Sequence, residues 1–176
     1  MSEAGDRKPE GAAFLTVQYA RQKGESIVYS GVLIAGALVL FGMPRAPILA
    51  LIAALVSVGV AIYHWPYVAK DRKAFTVTPA GINVDRLGLL PWNAIAGVEI
   101  VDRYVRMIRN AELRIALKRP FDTAVEHAPQ VGPVRRHMYR CWGVVSPQEI
   151  SVKLSTLDTP PEAVEAAIRP HIHRNI

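Results

Sequence analysis

The chain has 176 residues, 51% of them apolar and 20% charged, with a formal net charge of +6. That length allows one or two domains, and the single cysteine, Cys141, excludes an internal disulfide and fits a reducing compartment. The basic surplus is diffuse and no Trp or Tyr interleaves with the arginines as a stacking array, so composition argues against a nucleic-acid partner.

In chain order, Leu15, Val17 and Tyr19 alternate with Thr16, Gln18 and Ala20. Residues 14–20 therefore read as a strand, with the expectation that it joins whatever sheet follows. The rest of residues 1–26 reads as a polar N-terminal segment.

Ile27–Met43 and Pro47–Tyr63 are almost wholly apolar and carry no charge, and only Pro44, Arg45 and Ala46 separate them. Each run gives about 26 Å of helix, close to the roughly 30 Å of a hydrocarbon core. The pattern predicts a transmembrane helical hairpin over residues 27–65, with Tyr29 near one end and His64, Trp65 and Tyr67 near the other, at the headgroup level. Pro47 suits a first helical position. Gly31 with Ala35, and Ala53 with Ser57 and Ala61, recur at four-residue spacing and allow close backbone approach. A signal peptide fits poorly, because a second apolar run follows at once. A soluble core hairpin needs more surrounding chain than remains.

Arg7, Lys8, Arg21 and Lys23 precede the hairpin, Lys70, Arg72 and Lys73 follow it, and the intervening turn holds Arg45 alone. The positive-inside rule then puts both termini in the cytoplasm. Residues 70–176 carry 16 Lys and Arg against 11 Asp and Glu, so much of the surplus faces an inner leaflet, where each nearby basic residue gains about 1 kcal/mol on anionic lipid.

Residues 66–176 read as one cytoplasmic domain. Phe75 and Val77, a Pro79-Ala80-Gly81 turn, then Ile82 and Val84 make a β-hairpin. Leu87–Trp92 is a short apolar stretch. Further strands are expected at Ile95–Ile100, Leu113–Leu117 and Ile150–Leu154. Between Pro120 and Pro147 four prolines and mixed charge read as a long irregular insertion, with a short helix near Val134–Arg140. Thr159-Pro160-Pro161-Glu162 fits a capping box, and Val164, Ala167, Ile168 and Ile172 fall on one face of a terminal helix that Pro170 should end or kink near Arg169.

The segments Ala74–Val84, Gly88–Ile100 and Ile150–Ile168 carry a resemblance. With the preceding apolar pair they resemble small bacterial membrane proteins in which a pleckstrin-homology-like domain follows two membrane helices. The resemblance spans residues 15–172, and the 120–147 insertion departs from it. It implies an α+β chain: a transmembrane α-helical hairpin plus a bent antiparallel β-sheet of about seven strands with a C-terminal capping helix. It carries no catalytic motif.

Several side chains stand out. Trp92 reads as a core anchor. Arg103, Arg106 and Arg109 recur every three residues, and Arg135, Arg136 and Arg140 form a second basic group. On a loop or helical turn such arginines cradle phosphate, so Arg103, Arg106, Arg109, Arg135 and Arg136 are candidate contacts for anionic phospholipid headgroups. The competing reading is a solvated basic face. His137 and Cys141, with His127, fall short of a metal ligand set. No GxGxxG, Walker, HExxH or GxSxG pattern occurs, and no ionised side chain lies inside the apolar runs, which argues against a channel or pump. No catalytic residue, cofactor or metal is expected. The sequence reads as a multi-pass bacterial inner-membrane protein: a non-enzymatic module engaging a protein partner or anionic lipid at the cytoplasmic membrane face. The alternative is an accessory subunit whose hairpin packs within a larger complex.

Overall fold

A computed structural model describes residues 15–71, 73–105 and 107–172. It is a mixed α+β structure of two antiparallel sheets and five helices. The alternating segment at the start becomes β1 (Leu15–Gln18). It pairs antiparallel with β2 (Lys73–Thr78) in the register Val17–Phe75, so one sheet is built from chain on both sides of the apolar pair.

The first helix, α1 (Arg21–Ala37), begins at Arg21 rather than Ile27. Its polar first turn holds because Arg21 and Glu25 pair at 2.8 Å one turn apart and the Lys23 ammonium donates to the Ser155 carbonyl. A π-helical turn over Leu38–Gly42 extends it, giving 22 continuous residues, long and apolar enough to cross a membrane. A short turn leads into α2 (Pro47–Tyr63), a shorter apolar helix with proline at its start.

The two helices are antiparallel, and small residues make their seam. The buried positions are Gly24, Val28, Gly31 and Ala35 on α1, and Ala50, Ala54 and Ala61 on α2. A Cβ at Gly31 would lie 3.3 Å from that of Ala61, and one at Gly42 would lie 2.9 Å from that of Ala50. The expected small-residue contact is therefore present, with Ala50 and Ala54 in the buried row and Ala53 half-buried at its side. Among the described residues, most exposed large apolar side chains fall between Ile27 and Trp65; Leu33 and Ile48, at 73% exposed, are the most exposed of that stretch.

The first sheet runs β1-β2-β3-β4, with β3 (Gly81–Val84) and β4 (Gly88–Pro91). The second runs β5-β6-β8-β7: β5 (Ile95–Val105), β6 (Ile108–Leu117), β7 (Trp142–Ser146) and β8 (Glu149–Lys153). The inward faces of both sheets, with Val164 and Ile168 of α5 (Pro161–Ile172), share one buried core that leaves out the helix seam.

Three expectations are corrected. The 120–147 segment is not irregular throughout: it forms α3 (Phe121–Ala124), α4 (Pro133–His137) and β7, the edge strand of the second sheet. With β7 and β1 the described chain has eight strands, not about seven. The capping box does not close, because Thr159 donates to Asp158 while Glu162 turns to Arg109. Pro170, the position expected to end or kink the helix, lies inside α5, which runs on to Ile172.

Candidate functional site

The foot of the helix pair meets the sheets through aromatic rings. Gly24 lets α1 approach there, since a Cβ on it would overlap Tyr67 at 2.1 Å. Tyr67 packs edge-on to Tyr19, with ring centroids 5.5 Å apart, and lies 5.0 Å from Tyr139. Tyr139 also meets Tyr63 and stacks on His64. Its backbone N–H donates to the Tyr63 carbonyl over 2.8 Å. That carbonyl belongs to the last turn of α2, which has no intrahelical donor. Burial pushes the Tyr19 and Tyr67 hydroxyls well above the ordinary tyrosine range.

Tyr139 lies in the segment that carries the second arginine group, and Arg86 fixes that segment. Arg86 sits in the β3–β4 turn at φ +60, a left-handed conformation unusual for arginine. Its side chain is only 6% exposed. Its Nη1 donates to the carbonyls of Arg135 (2.8 Å) and Met138 (2.9 Å), and its Nη2 donates to that of Tyr139. Asp85 lies beside it, with Oδ2 3.3 Å from Arg86 Nε, an ion-pair distance without hydrogen-bond alignment. The other Asp85 oxygen accepts from Arg135 at 3.1 Å, and the Asp85 carbonyl accepts from Trp142 Nε1 at 2.8 Å. One turn thus anchors α4 and β7 together.

These contacts shape a cleft of about 500 Å³ lined by Arg86, Pro129, Gln130, Val131, Arg136, Arg140 and Trp142. Arg140 lies over the Trp142 ring at 4.4 Å, a cation–π contact. Arg135 is spent on Asp85, whereas Arg136 forms no ion pair among the described residues. Arg86 is occupied by carbonyls. The donors open to a ligand are therefore those of Arg136 and Arg140, on an exposed wall backed by a buried guanidinium. Planar donor forks in that arrangement suit a phosphate or carboxylate.

The first arginine group is not gathered. Arg103 lies on β5 and Arg109 on β6, and Arg106 lies outside the described residues. Arg109 opposes Tyr104, and Arg103 opposes Asn110, so strand alternation sends the two arginines to opposite faces. Arg109 is held by Asp102 at 2.9 Å and Glu162 at 2.6 Å. The Arg109 hydrogen bond keeps the Glu162 carboxyl below the usual carboxylate range.

Trp92 is buried in the core, with Nε1 donating to the Thr78 carbonyl at 3.0 Å and its ring stacked on His171. Cys141 is fully buried behind Trp142, and its N–H donates to the Tyr19 hydroxyl. Burial pushes its thiol up to about 11. His137 is exposed, with Nδ1 2.9 Å from the Pro133 carbonyl. Sequence reasoning missed Asp85 and Arg86. The signal was an Asp-Arg pair between two short strands, a turn position usually given to Gly or Asn.

No protein-family model, no curated protein and no solved structure matches this chain.

Proposed function

We propose that this protein is a non-enzymatic membrane-anchored module. In this reading α1 and α2 form a two-pass hairpin in a bacterial-type inner membrane, both termini are cytoplasmic, and the sheets with α5 form a pleckstrin-homology-like domain against the inner face. Its ligand is the headgroup of an anionic phospholipid, held between Arg136 and Arg140.

One observation carries the reading: the cleft stands at the foot of the apolar pair. The Tyr139–Tyr63 hydrogen bond ties the arginine segment to the end of α2. The outward faces of both helices expose aliphatic side chains along their length, which water disfavours and lipid tails accept. A headgroup at that level meets the arginines without leaving its leaflet.

The test uses the full chain in nanodiscs of mixed neutral and anionic phospholipid, released into native mass spectrometry. The wild type should retain anionic lipid in preference to phosphatidylcholine. The double variant Arg136→Gln, Arg140→Gln should lose that preference. Equal retention of both lipid classes by the wild type overturns the proposal.

A protein partner has one specific observation in its favour. The edge strand β7 exposes Val144 and Val145, and an open strand edge accepts an added strand. Crosslinking in native membranes from a photoreactive residue at Val145 tests that reading. A partner captured at Val145 but absent when the residue is placed at Thr123 supports it.

A further inference from the structure

The β5–β6 ribbon outruns its sheet. β8 leaves β6 at the Glu112–Lys153 pair, yet β5 and β6 stay paired through four further rungs to Val105–Ile108. That is about 13 Å of two-stranded ribbon beyond the sheet. Ala111 in its first rung is still buried in the core, and Arg109, one rung from the end, bridges Asp102 and Glu162, the latter in the first turn of α5.

The free end is apolar where water would favour polar residues. Met107 is 98% exposed and Tyr104 70% exposed, the two most exposed large apolar side chains among the described residues outside the helix pair. Met107 also has φ +68. A positive φ of that kind is best served by Gly or Asn. Neither solubility nor turn stability accounts for a methionine there.

The ribbon leaves the sheet at the end that lies beside the start of α1. Arg109, opposite Tyr104 on the ribbon, lines a cleft with Lys23 and Ser155. Lys23 sits in the first turn of α1, one turn before the apolar run opens at Ile27. The β7–β8 turn, by contrast, lies at the other end of the sheet, since Ser146–Glu149 pairs at the end away from Lys153.

We infer that the β5–β6 tip seats in the headgroup layer of the leaflet that α1 and α2 enter, with Tyr104 and Met107 as its apolar contacts. This rests on the membrane reading above. An amphipathic tyrosine and a flexible thioether suit that depth, and Arg103, exposed and without an ion pair among the described residues, reaches lipid phosphate from the ribbon's other face. The tip and the Arg136–Arg140 cleft then hold the domain at two points. Its tilt on the bilayer is fixed, and the Asp102–Arg109–Glu162 brace aims the ribbon.

The test places a single cysteine, labelled with an environment-sensitive fluorophore, in the full chain in nanodiscs containing acyl-chain spin-labelled phosphatidylcholine. Cys141 is buried, so wild type carried through the same labelling sets the background. The sites are Met107→Cys, Tyr104→Cys, Leu33→Cys on the helix pair, and Val145→Cys at the far end of the sheet. The expected result is strong quenching at 33 and quenching at 107 and 104 several-fold above that at 145. Quenching at 33 with 107 and 104 no different from 145 overturns the tip contact and leaves the membrane reading standing. No quenching at 33 overturns both.

Discussion

The Tyr139 N–H donates to the Tyr63 carbonyl over 2.8 Å, joining the segment that bears the cleft arginines to the last turn of α2. The bond satisfies a helix-terminal carbonyl that would otherwise need water or a cap. Around it Tyr19, Tyr67 and His64 pack as a ring cluster. The apolar pair and the sheets are therefore joined by more than a linker.

Arg86 should be the most sensitive single position in that coupling. Arg86→Ala leaves three carbonyls without their donor and Asp85 without its neighbour, at a cost of about 3 kcal/mol. Hydrogen exchange should rise across residues 133–142 well before it rises in β6. Arg86→Lys should rescue little, because one ammonium cannot reproduce a planar fork. Unchanged protection in that segment would remove Arg86 from this role.

The helix seam should tolerate bulk by position. Gly31→Leu overpacks against Ser57 and Ala61 and should cost about 1–3 kcal/mol, read as a lower melting temperature in mild detergent. At Gly36 and Gly59 an added Cβ meets nothing within 4 Å, so leucine there should be nearly neutral. Equal effects at all three would contradict the seam.

Trp92→Ala should cost about 3–5 kcal/mol, since the indole is buried and its N–H has a carbonyl partner. Thermal unfolding followed by tryptophan fluorescence checks this, and an unshifted midpoint would contradict the core role.

Alkaline pH should loosen the sheet domain. The Cys141 thiol keeps its proton to about 11 when folded, against an ordinary 9.0. The unfolded chain therefore gives up that proton first. Its stabilising contribution is intact below pH 9 and is lost as pH rises from 9.0 to about 11, amounting to about 2–3 kcal/mol. Tyr19 and Tyr67 act in the same direction. Melting temperatures should fall over that window, and Cys141→Ala should make the fall shallower.

The parts legible in sequence were those with local signatures. A charge-free run announces an apolar helix whatever surrounds it, and Leu15, Val17 and Tyr19 carried β1 by alternation alone. Ala50 and Ala54 were harder to place, because the face a helix buries depends on its partner. β7 was hidden because Trp142-Gly143-Val144-Val145 lies at an edge and does not alternate. Spacing by three in Arg103, Arg106 and Arg109 suggests one cluster on a helix, but on strands it sends Arg103 and Arg109 to opposite faces. The Thr159 capping box was outcompeted, Glu162 being taken by distant Arg109 and the Thr159 hydroxyl by its neighbour Asp158. Arg86 has no local signature at all, because its acceptors lie some fifty residues further along the chain.

The most direct measurement is alkaline carbonate extraction of membranes from cells making the full chain. If lipid tails solvate α1 and α2, the intact polypeptide stays with the sedimented bilayer even as the sheet domain loosens. Its release into the supernatant would contradict the membrane anchor, and with it the placing of the arginine cleft and the ribbon tip at a lipid surface.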